Sequence, residues 1–207
     1  MSIVIIDYGL GNVGSILNML KHISVPYSVE SSNEDALFAA DGLILPGVGS
    51  FKEGMSLLNR SGLATIIKEA VLEKKIPLLG ICLGMQLMCN YSEEGNVEGL
   101  GLIDADVVKF KFNQPTRLKV PHMGWSDVNI HKKNDLSTAL IDNSRFYFVH
   151  SYLVKCNDPD DIFMSTKHGI NFTSSFLRNN LFGCQFHPEK SHKYGIQLFR
   201  NFVKWCS

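Results

Sequence analysis

The first third of the chain repeats one pattern. Strand-like runs at residues 3–6 and 27–30 are each followed by a segment with helical spacing, at 13–22 and 33–39, and a third run at 43–45 leads into a glycine-rich loop. Strands that alternate with helices predict a parallel α/β arrangement, because parallel neighbours need long crossovers. Leu63, Ile66, Ile67, Ala70 and Val71 recur at helical spacing before Lys74 and Lys75, and the apolar run 76–81 that follows suits a strand buried on both faces. Another helix is predicted to begin at Leu83.

Beyond Gly101 the texture changes to short strand-like runs at 107–110, 127–130 and 145–149. Two more, at 172–177 and 181–186, are parted by Arg178-Asn179-Asn180 as in a hairpin. The chain closes on an amphipathic helix carrying Ile196, Phe199, Phe202 and Val203. No linker, low-complexity tract or repeat marks a boundary, so residues 1–207 are expected to form one doubly wound α/β domain. Its central sheet should be mainly parallel, with a smaller antiparallel portion late in the chain.

Twenty basic residues balance twenty acidic ones, which gives no electrostatic reason to expect nucleic acid or an anionic membrane as partner. The first residues lack a signal-peptide pattern and no apolar stretch reaches bilayer length, so a soluble cytoplasmic protein is expected. The five cysteines are odd in number and irregularly spaced, without C-x-x-C, which argues against a disulfide framework or a zinc site.

The most informative stretch is 76–88, where a buried strand runs into Gly80-Ile81-Cys82-Leu83-Gly84 and then a helix. This is the cysteine form of a nucleophile elbow: a sharp strand-to-helix turn strains the nucleophile's backbone, and the flanking glycines leave room for it. Cys82 at a helix start would be favoured as thiolate, and the Leu83 N–H would face a developing oxyanion. A lone intracellular cysteine is ordinarily a small buried hydrophobe. That role suits Cys89, Cys156, Cys184 and Cys206.

Near the end, an apolar strand delivers His187 directly before Pro188, with Glu189 two positions on. Proline biases His187 to an extended conformation. A carboxylate at 189 can hold one ring nitrogen while the other faces Cys82, which is the nucleophile, base and orienter logic of a triad. His22, His131, His168 and His192 have no such neighbours, and zinc bound by His187, His192 and a cysteine would lack a typical spacing. A G-x-G-x-x-G formed by Gly9, Gly11 and Gly14, with Glu30 after it, outlines a dinucleotide site that competes with the elbow.

Gly80-Ile81-Cys82-Leu83-Gly84-Met85-Gln86 together with His187-Pro188-Glu189 resembles the Cys-His-Glu glutamine amidotransferases. The resemblance spans the chain through 6–12, Pro46-Gly47-Val48-Gly49, Val120-Pro121-His122-Met123-Gly124-Trp125 and 147–152, and is strongest to the glutaminase subunits of imidazole glycerol phosphate synthase. It implies L-glutamine as substrate and no metal or organic cofactor. Val48 and Gly49 would complete an oxyanion hole with Leu83. Gln86 and Glu94 would hold the substrate, helped by backbone at His150 and Ser151. The implied partner is a cyclase subunit with a (β/α)₈ barrel, in a heterodimer, docked over Asn12, Trp125, Tyr147 and Lys190. Related glutaminases also serve the amidation of surface sugars, and the residues by themselves leave the acceptor open. A silent subunit that keeps the fold, or a nucleotide-binding module, is the reading from another class, and the intact Cys82, His187 and Glu189 weigh against it.

Overall fold

The computed structural model describes residues 2–112, 117–142 and 144–207. In chain order the elements are β1 (Ile3–Ile6), α1 (Val13–His22), β2 (Tyr27–Glu30), α2 (Glu34–Phe38), β3 (Gly42–Leu45), α3 (Phe51–Arg60), α4 (Leu63–Leu72), β4 (Leu78–Ile81) and α5 (Leu83–Leu87). They continue with β5 (Tyr91–Ser92), β6 (Val97–Glu98), β7 (Ala105–Lys109), β8 (His122–Ile130), β9 (Ser144–His150), β10 (Tyr152–Cys156), β11 (Ile162–His168), β12 (Ile170–Arg178), β13 (Leu181–Cys184) and α6 (His192–Trp205).

One half of the sheet is parallel, in the order β2-β1-β3-β4-β13. Its central strands are apolar at every position because both faces are covered. Val4, Ile6, Leu43, Leu45 and Leu78 point into one core with α3 and α4, while Ile3, Ile5, Ile44, Leu79 and Ile81 point into the other with α1 and α6. Successive side chains in a strand alternate faces, so these short runs supply both cores at once.

From β13 the sheet continues antiparallel through β12, β10 and β7, and β11, β8 and β9 branch from β12. The mixed α/β sheet matches the expectation, but this antiparallel portion is larger than the sequence suggests. Strands β10 and β11 (YLVKC and IFMSTKH) show no regular alternation of polar and apolar residues, so neither carries the period-two signal of a half-buried strand. Helix α3 was likewise not anticipated. Its buried Phe51, Gly54, Met55 and Leu58 follow helical spacing, but Gly54 interrupts the apolar stripe. A side chain there would press on Leu87 of α5 at 3.1 Å. In α6 the buried set is Gly195, Leu198, Phe199, Asn201 and Phe202, with Ile196 and Val203 half-buried at its margin.

Candidate active site

Three adjacent parallel strands bring three loops together at their carboxyl ends. Leu45 of β3 pairs with Gly80 of β4, and Ile81 pairs with Cys184 of β13. The glycine loop after β3, Cys82 after β4 and His187 after β13 therefore emerge side by side, about one strand spacing of 4.8 Å apart. Ligands in open α/β sheets bind at such strand ends.

Cys82 has φ 53° and ψ −107°, a backbone state that side chains rarely adopt and that costs about 1–3 kcal/mol. The surroundings hold it there. Its N–H donates to the Cys184 carbonyl at 2.8 Å, continuing the ladder, and its carbonyl accepts from Gln86 N at 3.2 Å to start α5. A Cβ on Gly80 would lie 2.5 Å from the Met88 sulfur, and one on Gly84 would overlap the Leu45 carbonyl oxygen. Both elbow glycines are thus required by packing. Helix α5 has only five residues, so the macrodipole expected to favour thiolate is small, and what remains is the local Leu83 N–H.

His187 donates its backbone N–H to the Tyr147 carbonyl at 2.8 Å, and Ser191 Oγ both donates to the His187 carbonyl at 2.6 Å and accepts from Tyr147 N at 3.0 Å. This clasp fixes the strand end against β9. The ring Nδ1 lies 2.8 Å from Glu189 Oε1, with both side chains at most 2% exposed. Burial works against a charged imidazole, but the Cys82 sulfur beside it and the Glu189 carboxylate outweigh burial and hold its pKa up at about 10. His187 Nε2 makes no hydrogen bond of good geometry, so it meets the Cys82 sulfur by proximity alone.

These groups open on a cavity of about 300 Å³ lined by Val48, Gly49, Cys82, Leu83, Gln86, Glu94, Pro121, His150, Ser151 and His187, among others. All the residues expected to bind substrate or oxyanion therefore meet in one space. Glu94 does more than line it: its Oε2 accepts from Phe51 N at 2.9 Å, at the start of α3, tying the acidic turn to the glycine loop. Gln86 is 5% exposed and turns its Nε2 inward, to the Tyr152 carbonyl at 3.3 Å and to Gln185 Oε1 at 2.9 Å.

Beside the cavity, Trp125 stacks on His192 with ring centroids 5.4 Å apart and meets Tyr147 edge-on, and the Lys190 ammonium lies 5.9 Å from the Tyr147 ring centre. Trp125, Met123 and Val120 are 39%, 62% and 40% exposed, an apolar face on β8 and the segment leading into it, at the rim of the site. Asn12 precedes α1 without capping it through its side chain.

Several contributors escaped the sequence reading. Tyr8 is buried and donates from its hydroxyl to the Pro46 carbonyl at 2.8 Å, bracing the glycine loop from beneath. A Cβ on Gly47 would lie 2.7 Å from that hydroxyl. His122 lies behind His150, and Gln185 behind Cys82. Gln185 left a signal as a polar residue two positions before His187 in an apolar strand, while Tyr8 and His122 stand out only as members of segments 6–12 and 120–125. Of the G-x-G-x-x-G glycines only Gly11 serves local packing, since a Cβ there would press on Pro46 at 3.0 Å, whereas one on Gly9 or Gly14 would meet nothing within 4 Å. Among the described residues no group of histidine, cysteine and carboxylate side chains could hold a metal ion, and no helix is long and apolar enough to cross a membrane.

The family description of class-I glutamine amidotransferases matches residues 4–205. The chain belongs to the class-I glutamine amidotransferases. Similar relatives of this amidotransferase include imidazole glycerol phosphate synthase subunit HisH 2 of Methanococcus maripaludis, 52% identical, and HisH 2 of Pseudomonas aeruginosa, 49% identical, each match covering 98% of both chains. HisH 1 of Campylobacter jejuni is 44% identical over 98% of this chain and 99% of its own. In fold the amidotransferase is similar to PurLQS from Thermotoga maritima, with TM-score 0.77, 17% identity and coverage of 100% and 98% of the two chains. It is also similar to a glutamine amidotransferase from Thermotoga maritima, with TM-score 0.65, 18% identity and coverage of 99% and 84%.

Proposed function

We propose that this chain, as one amidotransferase unit over residues 1–207, hydrolyses L-glutamine to glutamate and ammonia and passes the ammonia to a cyclase subunit. The observation that carries the chemistry is the juxtaposition of Cys82 and His187 at adjacent strand ends, with Glu189 2.8 Å from the far ring nitrogen. The Cys82 thiolate attacks the carboxamide carbon, and the oxyanion forms against N–H groups of Leu83 and of Val48 or Gly49. His187, charged at neutral pH, gives its proton to the departing nitrogen as the C–N bond breaks. Ammonia leaves, and a glutamyl thioester stays on Cys82. His187, now neutral, takes a proton from the water that cleaves the thioester, which releases glutamate and restores the charged pair. Gln86, Glu94 and the backbone at His150 and Ser151 hold the amino-acid end of glutamine.

The names of relatives at 44–52% identity support imidazole glycerol phosphate synthase as the acceptor system. In that reading the partner is a (β/α)₈ cyclase in a cytoplasmic heterodimer, and the ammonia serves formation of imidazole glycerol phosphate and aminoimidazole carboxamide ribonucleotide in histidine biosynthesis. Asn12, Trp125, Tyr147 and Lys190 form the docking face. The test is reconstitution with the cyclase. Cys82→Ala is expected to lose glutamine-dependent turnover by about 10⁴-fold or more while the complex still uses free ammonia. Retained glutaminase activity in that variant removes Cys82 as nucleophile, and a cyclase that never consumes the ammonia removes the acceptor.

A further inference from the structure

One polar side chain buried behind Cys82 takes no part in the chemistry above. Gln185 has no exposed surface, and its Nε2 lies 3.8 Å from the Cys82 sulfur, within hydrogen-bond reach for sulfur. Its Oε1 accepts from Gln86 Nε2 at 2.9 Å. The direction of both bonds is fixed from outside the pair. Gln86 Nε2 also donates to the Tyr152 carbonyl at 3.3 Å, and a carbonyl can only accept, so the nitrogen of Gln86 must face that way. Gln185 must then present its oxygen to Gln86, which turns its own N–H towards the sulfur.

The same carbonyl orders the other side of the site. It accepts from His150 Nδ1 at 2.7 Å, so His150 Nε2 accepts from His122 Nδ1 at 3.0 Å, and His122 Nε2 accepts from the Ser126 hydroxyl at 2.9 Å. The Tyr152 carbonyl is the fixed point of both chains.

We propose that Gln185 belongs to the catalytic set: its Nε2–H stabilises the Cys82 sulfur as an anion and aims it into the cavity, held in that sense by Gln86 and the Tyr152 carbonyl. The need for such a donor is visible. Besides His187, the sulfur faces the Val149 carbonyl at 3.9 Å, an acceptor that has no hydrogen to offer an anion. A donor to an ion is stronger than one to a neutral group, so Gln185 acts on the form that reacts.

This inference rests on Cys82 being the nucleophile, and the test separates the two. Alkylation of Cys82 by iodoacetamide, followed on its peptide by mass spectrometry from neutral to alkaline pH, reads the thiolate directly, with or without turnover. Gln185→Met keeps the length and removes the donor, and Gln185→Glu replaces the donor with a charge that repels the anion. Circular dichroism melting checks that each variant folds. Should the buried charge of Gln185→Glu prevent folding, Gln185→Met carries the test. At neutral pH we expect Cys82 in Gln185→Met to react about tenfold more slowly than in wild type, and to converge with it in alkaline solution where the thiolate forms unaided. In complex with the cyclase, kcat for glutamine falls in parallel while KM changes little. Equal rates at neutral pH, or a deficit that persists at alkaline pH as a blocked approach would give, overturns the proposal. Glutaminase activity surviving in Cys82→Ala would sink the nucleophile reading and leave this measurement standing.

Discussion

His187 and His150 stand on two sides of one cavity and are buried alike, at 1% and 6% exposed, yet their charges are driven in opposite directions. His187 is raised to about 10, because the sulfur and the Glu189 carboxylate outweigh burial. His150 is lowered to about 3, first by burial, which the hydrogen bond to the Tyr152 carbonyl only partly offsets, with further lowering from His122 and His168. Burial sets the cost of charge and the partner decides whether it is met. A carboxylate beside a ring makes a stored proton; a carbonyl and a second imidazole make a neutral, oriented wall.

The sharpest way to break this contrast is to remove the charged ring. His187→Ala, assayed with the cyclase bound, is expected to lose about 10²- to 10⁴-fold in glutamine-dependent kcat, since proton transfer itself is lost. Unchanged activity would take His187 out of the mechanism. Glu189→Gln makes the environment of His187 more like that of His150, and it should cost less, about tenfold to a hundredfold at neutral pH, because the ring remains in place without its ion partner. A loss as large as that of His187→Ala would mean that the carboxylate does more than orient and charge the ring.

The same contrast predicts how stability varies with pH. For His150 and His122, lowered to about 3 and about 4, the unfolded chain binds the protons more readily. Their contribution is therefore complete above the unfolded pKa of about 6.5 and falls as pH drops towards 4, by about 1.4 kcal/mol per pH unit for each proton. The contribution of His187 has the opposite sign. It is complete below about 6.5 and is lost as pH rises through about 10. His122→Gln keeps a donor for His150 and removes one titrating ring, so its melting temperature should fall less than that of wild type between neutral pH and pH of about 4. An identical acid limb would show that the pair does not titrate on unfolding.

The smallest effect is expected at the rim. Lys190 directly follows Glu189 and lies over Tyr147 on the exposed aromatic face. If docking of the proposed cyclase at this face raises turnover, Lys190→Ala should reduce that gain by about fivefold or less, as the loss of one exposed ion pair would. Titration of the cyclase into both forms at saturating glutamine, with complex formation scored separately, measures it.

The sequence determined by itself what local chemistry dictates. Buried parallel strands must be apolar on both faces, so residues 3–6, 43–45 and 78–81 were legible, and the elbow with its glycines and the His-Pro-Glu turn announced their own geometry. What depends on partners distant in the chain was not. Helix α3 hid behind Gly54, whose place is set by Leu87, and β10 and β11 lack a period-two alternation, so their place in the sheet rests on the strands that pair with them. The sequence named Cys82, His187 and Glu189, but only the register of β4 against β13 puts the first two at neighbouring strand ends. The role of Gln185 depends on a carbonyl 33 residues away, which turns one amide that then turns another. A hydrogen-bond direction is a property of a closed network, and that network exists only once the chain has folded.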